Sequence, residues 1–383
     1  MLPFAGVIIN LLYRYSGKNA DLGNKLIFDE IHEPGGGVPA RMTPLVLVST
    51  LITHLVGGSA GREGTAVQMG GSMAGAYSRW LKLKPGDLKI ILMAGIAAGF
   101  GAVFGTPIAG TVFALEVIAI RKVRIDAIVP CFFAALIASQ VCTLWGIHHT
   151  AYSIASRILP GALIPYVHFN PALLLKALFG GIIFGLTGYF FSWLLHFIKD
   201  SATRIIKIKW LIPVIGGIII IALCYVAGTR DYLGLGVVSE HEHGVSIVSS
   251  FIVGGVDAWS WLWKIFFTAV TLGTGFKGGE VTPLFFIGAS LGNIIAVHTS
   301  SPVDLFAGLG FIAVFAGATN TPLACTFLGI ELFGGEYVVY YAVACFAAYY
   351  FSGHKGIYST RRISKYKIQS LMNKLAASSA NRS

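Results

Sequence analysis

The sequence predicts an all-α membrane protein built from two related halves, and three observations carry that prediction. Of its 383 residues 55% are hydrophobic and only 12% charged, against roughly 25% charged in an ordinary soluble domain; mean hydropathy is +0.74. The apolar runs are many and broken by glycine, of which there are 47. Several, such as 65–77, 110–120 and 322–333, fall short of the roughly 20 residues a straight span needs. Short pieces cannot leave backbone polar groups facing lipid, so half-helices packed inside protein are expected. The third observation is a repeat. Gly61, Glu63, Thr65, Gly71 and Gly75 return at an offset of 217 (Gly61 to Gly278) as Gly278, Glu280, Thr282, Gly288 and Gly292. Thr106-Pro107-x-Ala109-x-Thr111, ending at Glu116, returns as Thr321-Pro322-x-Ala324-x-Thr326, ending at Glu331.

The chain divides accordingly. Residues 1–145 form a first membrane repeat, 146–351 a linker and second repeat, and 352–383 a terminal segment with a basic tail. Pro3-x-x-Gly6 corresponds to Pro213-x-x-Gly216. On that match the first half lacks a counterpart of the long apolar helix over 171–210, and a chain shortened at its start is expected. The net charge of +11 does not signal nucleic acid. Lys and Arg fall mostly in short loops and the tail, as the positive-inside bias requires, which places the C-terminus in the cytoplasm of a multi-pass protein of the cell (inner) membrane. The five cysteines sit singly in apolar segments, without metal spacing; small buried hydrophobes are expected, and neither a metal nor a cofactor.

The segment 57–75 holds Arg62 and Glu63 among glycines between two apolar runs. Charge at that depth is expensive and marks an ion or proton path. Gly61-Arg62-Glu63-Gly64-Thr65 precedes a helical segment, whose first amides lack internal partners and favour anions. A carboxylate there can occupy the anion site itself when ionised, and leave when protonated or displaced. The bland alternative is a structural Glu63–Arg62 pair. In a chain with two glycine-broken halves, each carrying such a glutamate, a transporter site is the expectation.

These residues resemble the CLC family of chloride channels and proton-coupled anion exchangers over nearly the whole chain. That family carries Gly-Arg-Glu-Gly-Pro, Gly-x-Phe-x-Pro and Gly-Ser-Gly-Ile-Pro motifs and a pore tyrosine. Here the first ends in Thr65, and the second reads Gly279-Glu280-Val281-Thr282-Pro283. The third corresponds to Gly23-Asn24-Lys25-Leu26-Ile27, and Tyr358 resembles the pore tyrosine. These departures resemble the fluoride-exporting branch. The resemblance implies an inverted repeat of tilted, partly half-length helices, a homodimer with one pore per subunit, and fluoride export by F⁻/H⁺ antiport. Glu63 is then gate and proton carrier and Glu280 the second carboxylate. Asn24, Gly64, Thr65, Val281, Thr282 and Tyr358 are the anion-binding candidates. Fluoride needs strong donors to replace its water, which Thr282 and Asn24 offer, and a site beside two carboxylates couples to protons.

Each residue has a plainer reading. Glu280 could be a helix-terminal carboxylate facing water, Asn24 a helix cap, and Tyr358 an interfacial belt tyrosine. Glu116 and Glu331 read as structural caps. Val117 stands where chloride–proton exchangers of the family often carry a glutamate, which fits a passive chloride channel equally well. Residues 240–243 (Glu-His-Glu-His) read as a solvated loop. Gly57-Gly58-Ser59-Ala60-Gly61 matches a hydrolase pattern with His54 nearby, but that elbow needs a preceding strand where 43–56 reads as a helix, so no enzyme is expected.

Overall fold

A computed structural model describes residues 1–119, 124–155, 170–239, 241, 244–353 and 356–358. Among them are fourteen α-helices and no strand longer than an isolated bridge. The first half runs α1 (Leu2–Ser16), α2 (Asn24–His32), α3 (Met42–Leu55), α4 (Glu63–Trp80), α5 (Pro85–Phe104), α6 (Pro107–Glu116) and α7 (Ile128–Leu144). The second runs α8 (Pro171–Ile205), α9 (Leu211–Ala227), α10 (Ser260–Gly273), α11 (Val281–Thr299), α12 (Val303–Thr319), α13 (Pro322–Phe333) and α14 (Val338–Phe351). Pro85–Phe104, Ile125–Leu144, Pro171–Ile205 and Val281–Thr299 are long and apolar enough to cross a membrane.

The expected breaks appear where the sequence puts them. Proline at the first helical position opens α5, α6, α8 and α13, where its missing N–H costs nothing. The half-length pieces are α6 and α13; α4 is longer than its expected 65–77, because glycine inside a helix thins it for packing without ending it. α8 opens on the Asn170 side chain, which accepts from Ala172 N (3.0 Å) and Leu173 N (3.2 Å). At about 1.5 Å per residue its 35 residues reach roughly 50 Å.

Each half packs neighbouring helices through close glycine contacts. A β-carbon on Gly70 would collide with the Gly95 carbonyl, joining α4 to α5, and one on Gly288 with the Gly310 carbonyl, joining α11 to α12. Backbones this close are how membrane helices gain dispersion contact without a hydrophobic driving force. α1 meets α9 through the paired Pro-x-x-Gly segments, since a β-carbon on Gly6 would lie 2.6 Å from Pro213 Cβ and one on Gly217 2.8 Å from Pro3 N. α11 and α12 form the buried centre of the second half.

One contact is reciprocal. Glu116, ending α6, accepts the N–H groups of Leu323 (3.1 Å) and Ala324 (2.8 Å) at the start of α13. Glu331, in the last turn of α13, accepts those of Ile108 (3.0 Å) and Ala109 (2.7 Å) at the start of α6. A contact in which i meets j and j meets i is the mark of a two-fold relation. Both glutamates therefore cap, as their structural reading holds. Glu116→Leu strips two helix-start amides of their partner and is expected to cost about 2 kcal/mol. Glu116→Gln, which keeps one acceptor, should cost about half of that. Thermal unfolding in detergent should give that order of midpoints, and equal midpoints would contradict it.

Candidate functional site

Residues 57–62 lead from α3 into α4, and 274–280 from α10 into α11. The two segments meet in an isolated antiparallel bridge, with Gly61 N–H to Gly279 O at 2.6 Å and Gly279 N–H to Gly61 O at 2.7 Å. Antiparallel pairing means that they enter the crossing from opposite directions. Glycine is needed here: a β-carbon on Gly279 would stand 2.7 Å from Gly64 N, and one on Gly64 3.1 Å from Gly279 Cα.

Glu63 opens α4 and is only 4% exposed. It makes no ion pair with the exposed Arg62. Its Oε2 accepts the backbone N–H of Arg62 at 3.0 Å and of Thr282 at 3.2 Å. Thr282 N–H belongs to the first turn of α11, one of the donors a helix cannot satisfy internally. The carboxylate of one half thus sits on the N-terminus of the other, where the helix dipole favours negative charge.

Three further side chains converge beside it. A methyl placed on Gly64 would stand 3.3 Å from Glu280 Oε2 and 3.8 Å from Asn24 Nδ2. Glu280 holds the N-cap position of α11, yet its side chain caps nothing, and its Oε2 is buried without a hydrogen-bond partner. Asn24 opens α2 at 7% exposure, and its Oδ1 is also unpartnered. Gly23, with φ +58° and ψ −135°, turns the chain there in a conformation that only glycine adopts readily. The Thr282 hydroxyl is the third such buried, unpartnered group. Buried polar atoms without partners are rare and require an explanation; here they gather beside one carboxylate and around three helix N-termini. The cap reading of Asn24 and the water-facing reading of Glu280 do not survive this geometry.

The remaining candidates are placed as follows. Gly64 provides the space into which Glu280 and Asn24 reach, and Val281 opens α11. Thr65 turns its hydroxyl away from the crossing, to Thr50 Oγ1 at 2.8 Å. Tyr358 packs edge-on against Phe28 (5.6 Å between centroids) and Phe113 (6.4 Å). Its segment is pinned by Ile357 N–H to Ala318 O at 2.8 Å. Phe28 lies one helical turn beyond Asn24, so the tyrosine packs inside the fold against the middle of α2 and against α6.

Ser59 follows helix α3 rather than a strand. Its hydroxyl pairs with Thr268 Oγ1 at 2.9 Å and its N–H with Thr271 Oγ1 at 3.2 Å, which leaves no hydrolase elbow. Of the segment 240–243, residues 240, 242 and 243 lie outside the described residues, and no metal-holding group occurs among the described ones. Sequence reasoning missed Lys264, on the same face of α10 as Thr268 and Thr271. It is fully buried, donates to Tyr232 O and Gly234 O (3.0 Å each) and lies 5.2 Å over the Phe286 ring. A lone lysine in an apolar run was the available signal. The loop it holds walls a cavity of about 570 Å³ beside His54, Gly57, Arg230 and His241, at the start of the segment that leads to Glu63.

The profile of the voltage gated chloride channel family matches residues 5–353. The chain belongs to that family. A chloride/fluoride channel protein of Pseudomonas syringae pv. tomato is 46% identical over 96% of this chain and 79% of its own. The crystal structure of a CLC-type fluoride/proton antiporter superposes with a TM-score of 0.84 at 35% identity, over 93% of this chain and 86% of that one. A slow cyanobacterial Cl⁻/H⁺ antiporter superposes with a TM-score of 0.74 over 93% of this chain and 84% of that one; at 21% identity it speaks to the fold alone.

The crossing makes a direct test available. A methyl on Gly61 would collide with Glu63 Oε2, which ends a flexible side chain, while Gly279 O and Thr282 Oγ1 lie 3.1 Å away. Gly61→Ala should therefore evict the carboxylate and free the α11 amide. Fluoride binding, measured by calorimetry on purified protein, should tighten roughly tenfold, equivalent to about 1.4 kcal/mol; an unchanged affinity would mean that Glu63 does not compete with the anion.

Proposed function

We propose that this chain exports fluoride across the membrane in exchange for protons. The observation that carries the reading is the Glu63 carboxylate bonded to Thr282 N–H, with Asn24, Glu280 and the Thr282 hydroxyl converging beside it. An ionised Glu63 fills the anion position at the start of α11. A fluoride ion that displaces it inherits the α11 amides and, with small rotations, the Thr282 hydroxyl and the Asn24 amide, strong donors for a small, strongly hydrated anion. The displaced carboxylate loses its amide partners, and taking up a proton removes the penalty of leaving a bare charge in a low-dielectric interior. Glu63 is thus gate and proton carrier, Glu280 a second acceptor for the proton, and Tyr358 a wall of the inner side. The relatives support this reading through their names, one a fluoride/proton antiporter and one a chloride/fluoride channel protein.

Residues 1–145 and 146–351 act as the two membrane repeats, with 352–383 as pore-tyrosine segment and basic tail. As in the family, the working unit is a homodimer in the lipid bilayer with one pore per subunit. It lies in the inner membrane of the cell with the C-terminus in the cytoplasm. A passive chloride-type channel is the second reading, which Val117, standing where family exchangers often carry a glutamate, fits equally well.

Flux from liposomes containing the purified protein separates the two, with fluoride and chloride electrodes and a pH probe read together. An exchanger moves fluoride well above chloride and drives protons uphill, whereas a channel passes both anions and moves none. In Glu63→Gln, which cannot release a proton, proton movement should fall to background while some fluoride movement persists. Proton flux surviving in that variant would sink the assignment of Glu63.

A further inference from the structure

Asp21 and Lys277 form an ion pair between the two halves of the chain. Asp21 lies in the 3-10 turn Lys18–Leu22, three residues ahead of Asn24. Lys277 lies three residues ahead of Glu280. The pair therefore spans the segments that deliver the two side chains meeting over Gly64. The lysine is fixed from a second direction, since its ammonium lies 4.4 Å over the ring of Tyr13 on α1. On the Lys277 side the chain is already held, since Gly279 is bonded on both its N–H and its carbonyl to Gly61; the pair therefore ties the Asp21–Asn24 segment to a fixed frame. On the other side only Leu22 and Gly23, the latter at φ +58°, separate Asp21 from Asn24. With Asp21 68% exposed, such a pair adds little to stability. Its location gives it a geometric task instead.

We propose that the Lys277–Asp21 pair is a latch that sets the spacing between Asn24 and the start of α11, with its amides and the Thr282 hydroxyl, and so the preference of the site for fluoride over a larger halide. Neither residue touches the ion; both are positioning residues. The inference rests on the fluoride-exchange reading. A site that discriminates by size must hold its donors at a fixed separation, because donors free to move apart accept chloride as well. The latch supplies that restraint from outside the site, across the line where the two halves meet.

The test is the fluoride-to-chloride efflux ratio from liposomes, with proton movement recorded in parallel. It compares the wild-type chain, Lys277→Gln, Asp21→Asn, Lys277→Arg, and the charge swap Lys277→Asp with Asp21→Lys, each checked for a single monodisperse peak. Each neutral variant should lower the ratio about fivefold or more by admitting chloride, equivalent to about 1 kcal/mol. Lys277→Arg should keep the wild-type ratio, and the swap should recover most of the loss. If instead the lysine merely attracts anions, Asp21→Asn raises fluoride flux, Lys277→Gln lowers both anions equally, and the swap recovers nothing; that pattern overturns the latch. Neutral variants with the wild-type ratio overturn it too. A wild-type chain that neither prefers fluoride nor moves protons refutes the exchange reading by itself. In that case a ratio shifted by the neutral variants and restored by the swap still reports the latch.

Discussion

A carboxylate resting on the first amides of a helix from the other half is the interaction on which this structure turns. Helix ends inside a membrane are costly, because each leaves N–H groups with no internal partner and no water to take them. The fold meets that cost at the crossing of Gly61 and Gly279 by aiming one half's glutamate at the other half's helix. The same arrangement stores function: what satisfies α11 at rest is a group that can ionise, move and be replaced by an anion. A backbone or amide cap would hold the helix as well and could carry no proton.

The reciprocity extends beyond the site. Glu116 and Glu331 close the ends of α13 and α6 for each other, and α1 and α9 share one packing register through Pro3, Gly6, Pro213 and Gly217. In each case a group from one half satisfies something the other cannot satisfy alone. This explains why short helices such as α6 and α13 stand in a membrane protein although neither is long enough to span. Their first amides need neither water nor lipid, because the glutamate of the partner half accepts from them. The helix with no counterpart among the described residues of the first half is α8, whose own end is capped locally by Asn170.

Much of this could be read from residues alone, and the limits have physical causes. The repeat placed Glu63 and Glu280 at equivalent positions, and glycine and proline marked where α5 gives way to α6. What spacing cannot convey is partner choice across 200 residues. Glu63 could have paired with Arg62 next to it, and instead takes the Thr282 amide from the other half. Thr65 and Thr282 look alike in the repeat, yet one hydroxyl is spent on Thr50 and the other left free in the site. Asn24 reads as a cap because asparagine before a helix usually is one; here Gly23 takes the capping position and releases the side chain. Lys264 was legible in principle, as one charge in an apolar run, but its carbonyl partners on the loop around residue 233 were not.

The charges at the crossing also bear on why anion and proton movement belong together. Three helix N-termini, of α2, α4 and α11, converge there, each equivalent to roughly half a positive charge, so together roughly +1.5. Two ionised carboxylates already exceed that, and a fluoride added to both would leave the site strongly negative in a medium that screens poorly. The ion can come to rest only by exchange, taking the amide that Glu63 gives up. The displaced carboxylate then has lost both its partner donors and its favourable potential, with Glu280 close by as a like charge. Protonation removes that charge and returns the sum to what it was with Glu63 seated. A seat at the α11 amides that holds one negative charge at a time, and whose own carboxylate can be neutralised by a proton once displaced, ties each anion to a proton without any separate coupling device.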